Sequence, residues 1–316
     1  MAPIMPALGL GADGRMTIVE APVPTPRSGQ ILVEVKVSAV NEMDVQVRAG
    51  GWRSQVRRFR QAGPVLTGFE FVGVARSDGA RILVGQRVIG YVHVLNGRRT
   101  HAQFVCVDEN DLAPIPEGLD DEAGAALVVM GLTAVEVLER LKPLRPGAHC
   151  LVIGAAGGVG TYVTQLARFQ GATVTAVCSQ ANAAWVTDQG ASDIRPYETA
   201  AMFSHGDQFD LILDAPAKSS FAETAPYLAN DGMYVSTNPM ADVGGFVRAM
   251  ASSRRAGYLM MLTTTPSKLG RLIDLWAEGG LRPVVDSVHA LSEADAAFDR
   301  FGTRGKQGRV LLRISA

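Results

Sequence analysis

"VIGAAGGVG", residues 152–160, decides the fold. An apolar run ending at Ile153 passes into a turn holding Gly154, Gly157, Gly158 and Gly160, and the next stretch, "GVGTYVTQLARFQG", reads as a helix closed by Gly171. Strand, glycine turn and helix in that order open a dinucleotide-binding βαβ unit. Glycine permits the tight turn, lets backbone approach a pyrophosphate and brings helix close to strand. The helix start then offers free N–H groups and a partial positive charge to the phosphates. The spacing is G-x-x-G-x-x-G rather than G-x-G-x-x-G, so the context of the turn carries more weight than the glycines alone.

Working outward, that context is complete. "TVTAVCS" reads as a second strand, "ANAAWVTDQG" as a helix closed by Gly190, and "FDLILDAP" and "GMYVSTN" as further strands. Upstream, "DDEAGAALVVMGLTAVEVLERL" reads as a helix with acidic residues in its first turn. Such alternation is the signature of a parallel sheet covered by helices on both faces, an α/β fold. The first third differs. "ILVEVKVSAV" (31–40), "FEFVGVAR" (69–76), "RVIGYVHV" (87–94) and "HAQFVCVD" (101–108) are short strands between turns, while "RSQVRRFRQAG" (53–63) has helical spacing. A helix at "SKLGRLIDLWAEG" and a last strand "GRVLLRI" close the chain. Two domains are expected: residues 119–261 as the doubly wound, nucleotide-binding block, and residues 1–118 with 262–316 as the β-rich one.

The 316-residue chain is 47% hydrophobic and 19% charged with net charge −1, which argues against recruitment by nucleic acid or an anionic membrane. Three scattered cysteines fit a reducing compartment. The first residues show no signal or transit peptide, and no run reaches the roughly 18–20 apolar residues of a membrane span, so a cytoplasmic protein is expected.

The second strand selects the nucleotide. NAD sites place Asp or Glu about 20 residues after the glycines to bond the ribose 2′-OH. Here the strand ends "AVCSQAN", with Ser179 at the tip and Gln180 and Asn182 behind it, and no carboxylate. NADPH is therefore the expected cofactor, with Arg195 and Tyr197 available to supply the missing charge and a second hydroxyl. The competing role for Ser179 is a helix N-cap.

The stretches "GAAGGVGTYVTQLARFQGATVTAVCS", "GASDIRPY", "SAVNEMDVQVRAGGW", "GFEFVGVA", "MGLTAVEVL" and "GGLRPVVD" together resemble the medium-chain dehydrogenase/reductase superfamily, in its zinc-free quinone oxidoreductase branch. The resemblance implies a GroES-like catalytic domain built from both chain ends, a Rossmann domain between them, and a homodimer joined through the Rossmann sheets. It implies that Asn41 and Thr133 meet the nicotinamide side, Gly158 and Val159 the pyrophosphate, Ser179 and Tyr197 the 2′-phosphate, and that Ala215 and Thr237 line the cofactor trough. Zinc-binding members hold metal through a Cys, a His in a "GHE" motif, and a later Cys or Asp. The corresponding segments here are "NEMD", "GFE" with Phe69 in place of the histidine, and "VVMG", so no metal site is expected.

A hydride donor without a Lewis acid suits an acceptor that is already electrophilic, a quinone or an α,β-unsaturated carbonyl. Many zinc-free members carry a tyrosine two positions after the Asp of "N-x-x-D"; here Gln46 follows Asp44 at that place, and an amide orients a carbonyl without acting as an acid. Tyr91 and His93 are the alternative donors, set against plain roles as a core aromatic and a strand histidine, with water as a third source; Asp44 reads as a structural acceptor. Arg53, Arg57 and Arg60 would form one basic helix face, able to dock a carboxylate or a carrier phosphate, or simply solvated. The expected activity is NADPH-dependent quinone or enone reduction. The alternatives are a biosynthetic enoyl reductase or reductive cyclase on a carboxylated or carrier-bound intermediate, and a non-catalytic NADPH-binding redox-responsive protein.

Overall fold

The computed structural model describes residues 3–11, 13–50, 65–93, 99–238, 242–250, 255–259 and 263–315. The arginines at 53, 57 and 60, and the helix expected around them, lie outside the described residues. In chain order the elements begin with β1 Ile4–Leu10, β2 Met16–Pro22, β3 Gln30–Ala39, α1 Glu42–Arg48, β4 Val65–Leu66, β5 Glu70–Ala75, β6 Arg87–Tyr91, β7 Phe104–Asp108, β8 Leu112–Pro114 and α2 Asp121–Val135. They continue with β9 His149–Ile153, α3 Gly158–Phe169, β10 Thr173–Cys178, α4 Ala183–Asp188, β11 Asp193–Pro196, β12 Phe209–Asp214, α5 Phe221–Thr224, β13 Leu228–Ser236, α6 Val243–Met250 and β14 Arg255–Tyr258. The last elements are α7 Pro266–Ala277, β15 Val285–Ala290, α8 Ala294–Gly302 and β16 Arg309–Arg313.

Two compact units result. One contains residues 1–129, 263–274 and 283–316, the other 130–262 and 275–282. The division falls inside α2, not at 118/119. The first half of α2 is tied to the β-rich unit by Arg87, whose guanidinium reaches Asp121 and the Leu119 carbonyl, and by Gly124, where an added Cβ would lie 2.9 Å from Val72.

In the β-rich, GroES-like unit one sheet runs β15-β16-β3-β5-β6-β8, with β7 also on β3, and a small sheet runs β2-β1-β4. The central strand β3 alternates buried and half-buried residues, as its sequence pattern predicts, and Val33 and Val35 are fully buried in its core. The β1–β2 hairpin and β15 are additions to the sequence reading. The hairpin's prolines and weak alternation hide it, and only the turn residues around Asp13-Gly14 signal it.

The second unit is a six-stranded parallel sheet in the order β11-β10-β9-β12-β13-β14. Counted from β9, this is the doubly wound order 3-2-1-4-5-6. The crossovers leave β9 in opposite directions, so a crevice opens at the C-terminal ends of β9 and β12. The glycine turn sits at the first of those ends.

The β-rich unit is pinned by a buried ion pair. Arg309, at the start of β16, is 2% exposed, and Glu70, at the start of β5, is fully buried. The Arg309 guanidinium donates to Glu70 Oε1 and, at 3.0 Å, to Asn41 Oδ1. Asn41 Nδ2 donates to the same Glu70 oxygen at 2.9 Å, while the Val129 amide of α2 donates to Glu70 Oε2 at 2.5 Å. Four chain segments thus meet on one carboxylate. Removing one partner of such a pair strands a buried charge and costs about 3–5 kcal/mol, whereas replacing both is far milder. Arg309→Met is expected to lose stability in that range in urea denaturation, and Glu70→Gln/Arg309→Met to regain part of it. An additive double variant would show that the pair is not coupled.

Candidate active site

In the second unit the turn has the local chemistry a dinucleotide needs. Gly154 has φ +78°, a left-handed conformation that glycine adopts without strain, and an added Cβ would lie 2.8 Å from Pro216, just beyond β12. At Gly160 an added Cβ would stand 2.2 Å from the Gly154 carbonyl, so this glycine sets the approach of α3 to the turn. Gly157 is the N-cap of α3 with ordinary extended backbone; its Cβ position meets only the Gly154 oxygen, at 3.3 Å. No side chain caps α3, and its first turn is free of acidic residues, so the N–H groups of Gly158, Val159 and Gly160 present positive charge at the crevice. These residues fit a dinucleotide pyrophosphate. Ala215 follows the end of β12, and its carbonyl accepts from the Thr237 hydroxyl at 2.7 Å, joining the tips of β12 and β13. Thr133 is 6% exposed within α2.

At the tip of β10, Ser179 occupies an N-cap position, yet its hydroxyl makes no capping bond. Tyr197 is 56% exposed. Arg195 does not supply the missing charge. Its guanidinium is bound by Asp207 at 2.5 and 3.1 Å and lies over the Phe209 ring. The Gln180 backbone N–H instead donates to the Glu198 carboxylate at 3.1 Å.

In the β-rich unit, Asn41 is 3% exposed, and both atoms of its amide are engaged by Glu70 and Arg309. It is a positioning residue within this unit. Asp44, also fully buried, accepts from the Asn41 backbone N–H at 2.8 Å and the Gly68 backbone N–H at 2.7 Å, which fixes the start of α1 against the entry to β5. Gln46 is half-buried and donates to Glu42 one turn back at 3.3 Å. Tyr91 is 3% exposed, and burial, followed by the Glu70 charge, pushes its phenol well above the ordinary tyrosine range. Held protonated there, it is a poor proton source. His93, just past β6, is half-buried.

Residues 27–117 match the model of the alcohol dehydrogenase GroES-like domain, and residues 189–312 that of the zinc-binding dehydrogenases. A chloroplast envelope quinone oxidoreductase homolog of Arabidopsis thaliana is 27% identical over 96% of this chain and 95% of its own. The mitochondrial NAD(P)H oxidoreductase RTN4IP1 of Drosophila melanogaster is 27% identical over 91% of this chain and 79% of its own. The chain belongs to the medium-chain dehydrogenase/reductase superfamily, in its quinone oxidoreductase branch. It is an oxidoreductase, an NAD(P)H-dependent reductase whose cofactor is a nicotinamide nucleotide. The quinone oxidoreductase of Coxiella burnetii shares the fold, with a TM-score of 0.89 over 99% of this chain and 100% of its own at 24% identity.

Where metal-binding members of this superfamily carry a histidine, Phe69 is fully buried, with the Arg99 guanidinium 4.9 Å from its ring centre. Burial lowers Arg99 to about 10, and Asp44 acts against that shift. Among the described residues, no group of three His, Cys, Asp or Glu side chains converges as a metal site would require. Nor is any helix among them long and apolar enough to cross a membrane.

Sequence reading missed Glu70, Arg309 and Glu198. For the first two the only signal is a charge beside a β-branched run, in "GFEFVGVA" and "GRVLLRI". For Glu198 there is none, because the residue reaches the β10 tip from beyond β11.

Two buried groups titrate in opposition. Burial pushes Asp44 up from 3.8 to about 7, against the Gly68 and Asn41 amides, Arg99 and Arg309. The folded chain therefore holds this proton more tightly than the unfolded one, and that stability is lost as pH rises from about 4 to about 7. Burial lowers His101 from 6.5 to about 4. Its Nε2 lies 3.2 Å from the Ala39 carbonyl and so carries the proton, leaving Nδ1 to accept from Thr67 at 2.8 Å. The unfolded chain takes up that proton more readily, so this contribution is complete above 6.5 and lost as pH falls toward 4. The two slopes offset each other in that window. Relative to wild type, His101→Phe is expected to lose stability with rising pH and Asp44→Asn to gain it, each by about 1 kcal/mol per pH unit. Urea denaturation from pH 4.5 to 6.5 checks this, and parallel curves for all three proteins would refute it.

The glycines separate binding from folding. Gly160→Ala is expected to lower the melting temperature by several degrees, since its Cβ meets backbone. Gly157→Val is expected to keep the fold and weaken nicotinamide nucleotide binding at least about tenfold, equivalent to about 1.4 kcal/mol. Thermal melts paired with nucleotide titrations distinguish them.

Proposed function

We propose that this chain reduces quinones or α,β-unsaturated carbonyls with NADPH and without a metal ion. The observation that carries the reading is the combination of an uncapped, glycine-built phosphate turn on a doubly wound sheet with a buried Phe69–Arg99 stack where metal-binding relatives place a ligand. A nucleotide held at that turn would supply hydride from its reduced nicotinamide. The chain itself holds the pyrophosphate on the amides of Gly158, Val159 and Gly160 and takes the 2′-phosphate with Ser179 and Tyr197. Thr133, Ala215 and Thr237 line the nucleotide. Gln46 orients the acceptor carbonyl, Tyr91 donates a hydrogen bond to the developing oxyanion, and His93 or water delivers the proton. Asn41 acts through the start of α1, which it fixes to Glu70 and Arg309.

The functional unit is a cytoplasmic homodimer. The reading is supported by β14 at the end of the strand order and by α6, whose Val243, Val247 and Met250 are 57%, 63% and 79% exposed on one face.

Purified protein is expected to consume NADPH rapidly with phenanthrenequinone, to retain that rate after chelation and to contain less than one zinc per chain. The same preparation should sediment as a dimer. Absence of turnover with quinones and enones alike, or activity that tracks stoichiometric zinc, would overturn the proposal.

A further inference from the structure

The inference concerns the ribose end of the nucleotide site and rests on the nicotinamide reading. Three features define that end. Ser179 and Gln180 lead out of β10, the Tyr197 ring stands exposed after β11, and the Tyr197 amide donates to the Cys178 carbonyl at 3.1 Å, keeping the two exits side by side. A 2′-phosphate placed there needs hydrogen-bond donors and favours positive charge. Ser179 and Tyr197 provide hydroxyls. Arg195 is turned to Asp207 and is only 15% exposed. The charge that does reach the tip is negative. The exposed Glu198 carboxylate takes the Gln180 amide, a donor that a phosphate oxygen would use. Its field is felt beneath, at Cys178, whose thiol is raised first by burial and then by Glu198.

We propose that Glu198 is a cofactor-specificity residue: its carboxylate occupies the amide that would bind a 2′-phosphate and serves equally as an acceptor for a ribose 2′-OH. It holds the preference for NADPH below what Ser179 and Tyr197 alone would set, and it admits NADH as a working cofactor. The acidic residue that NAD sites carry at the end of the second strand is supplied here from the exit of the third. Because the side chain is exposed, it swings aside for a phosphate at an electrostatic cost, and that cost is screened by salt.

The test is nucleotide binding to the full chain at low ionic strength, followed by quenching of tryptophan fluorescence with NADPH and NADH. Glu198→Gln keeps an acceptor for the Gln180 amide and removes the charge; Glu198→Ala removes both. The ratio Kd(NADH)/Kd(NADPH) is expected to rise about tenfold in each variant, with NADPH binding tighter, and the rise should shrink at high salt. A ratio within twofold of wild type in both variants, with both nucleotides still bound, overturns the role of Glu198 alone. No binding of either nucleotide to wild type or variants overturns the nicotinamide reading and this inference with it.

Discussion

The Glu70–Arg309 pair is the constraint on which the β-rich unit depends. A carboxylate and a guanidinium withdrawn from water are unfavourable unless they are paired and hydrogen-bonded; here Asn41 and the Val129 amide complete the contacts of Glu70, while Arg309 Nε has no partner among the described residues. The cost of burial becomes positional information. The entry to β5, the start of α1, the first half of α2 and the last strand are brought together where the two charges meet. The candidate catalytic segment 41–46 begins on this cluster, and Asp44 adds a second tie from the same helix to Gly68.

This organisation places chemistry and support in adjacent but distinct residues. Asn41 stands within the segment that the superfamily resemblance marks, yet both ends of its amide are committed to the ion pair. Tyr91 stands on the strand beside Glu70, and the neighbouring charge that helps fix the unit also makes its phenol a weaker acid. Of the two side-chain donors that the sequence offers, His93 is the less buried. The second unit divides its labour in the same way. Gly160 serves packing and Gly154 serves the turn, while Gly157 has a conformation any residue adopts and is valuable for the space it leaves.

Much of this was legible in the sequence. Periodicity and glycine punctuation located β9, α3, β10 and β12, because each of these elements is local and the parallel sheet repeats one simple unit. The glycine turn was legible for the same reason. What the sequence concealed depends on contacts between distant segments. Arg309 looks like an exposed strand residue until its partner, 239 positions away, is known. The β1–β2 hairpin is held by pairing rather than by a strong alternating pattern. Arg195 reads as a free cation near the nucleotide until Asp207 is seen on it, and the absence of an acid at the β10 tip is reversed by a residue from another loop.

The interleaving of the β-rich unit with the chain's two ends has a consequence for biosynthesis. Its central strand β3 leaves the ribosome well before β16, which pairs along one side of it. Throughout translation Glu70 waits without Arg309, its carboxylate more favourably left in water than enclosed. The nucleotide-binding sheet, by contrast, is drawn from one nearly continuous stretch whose strands pair close in sequence, and its last strand, β14, emerges before β16 does. Assembly is therefore ordered by connectivity. The β-rich unit closes after the nucleotide-binding one, and a chain interrupted before Arg309 lacks the charge that pairs with Glu70.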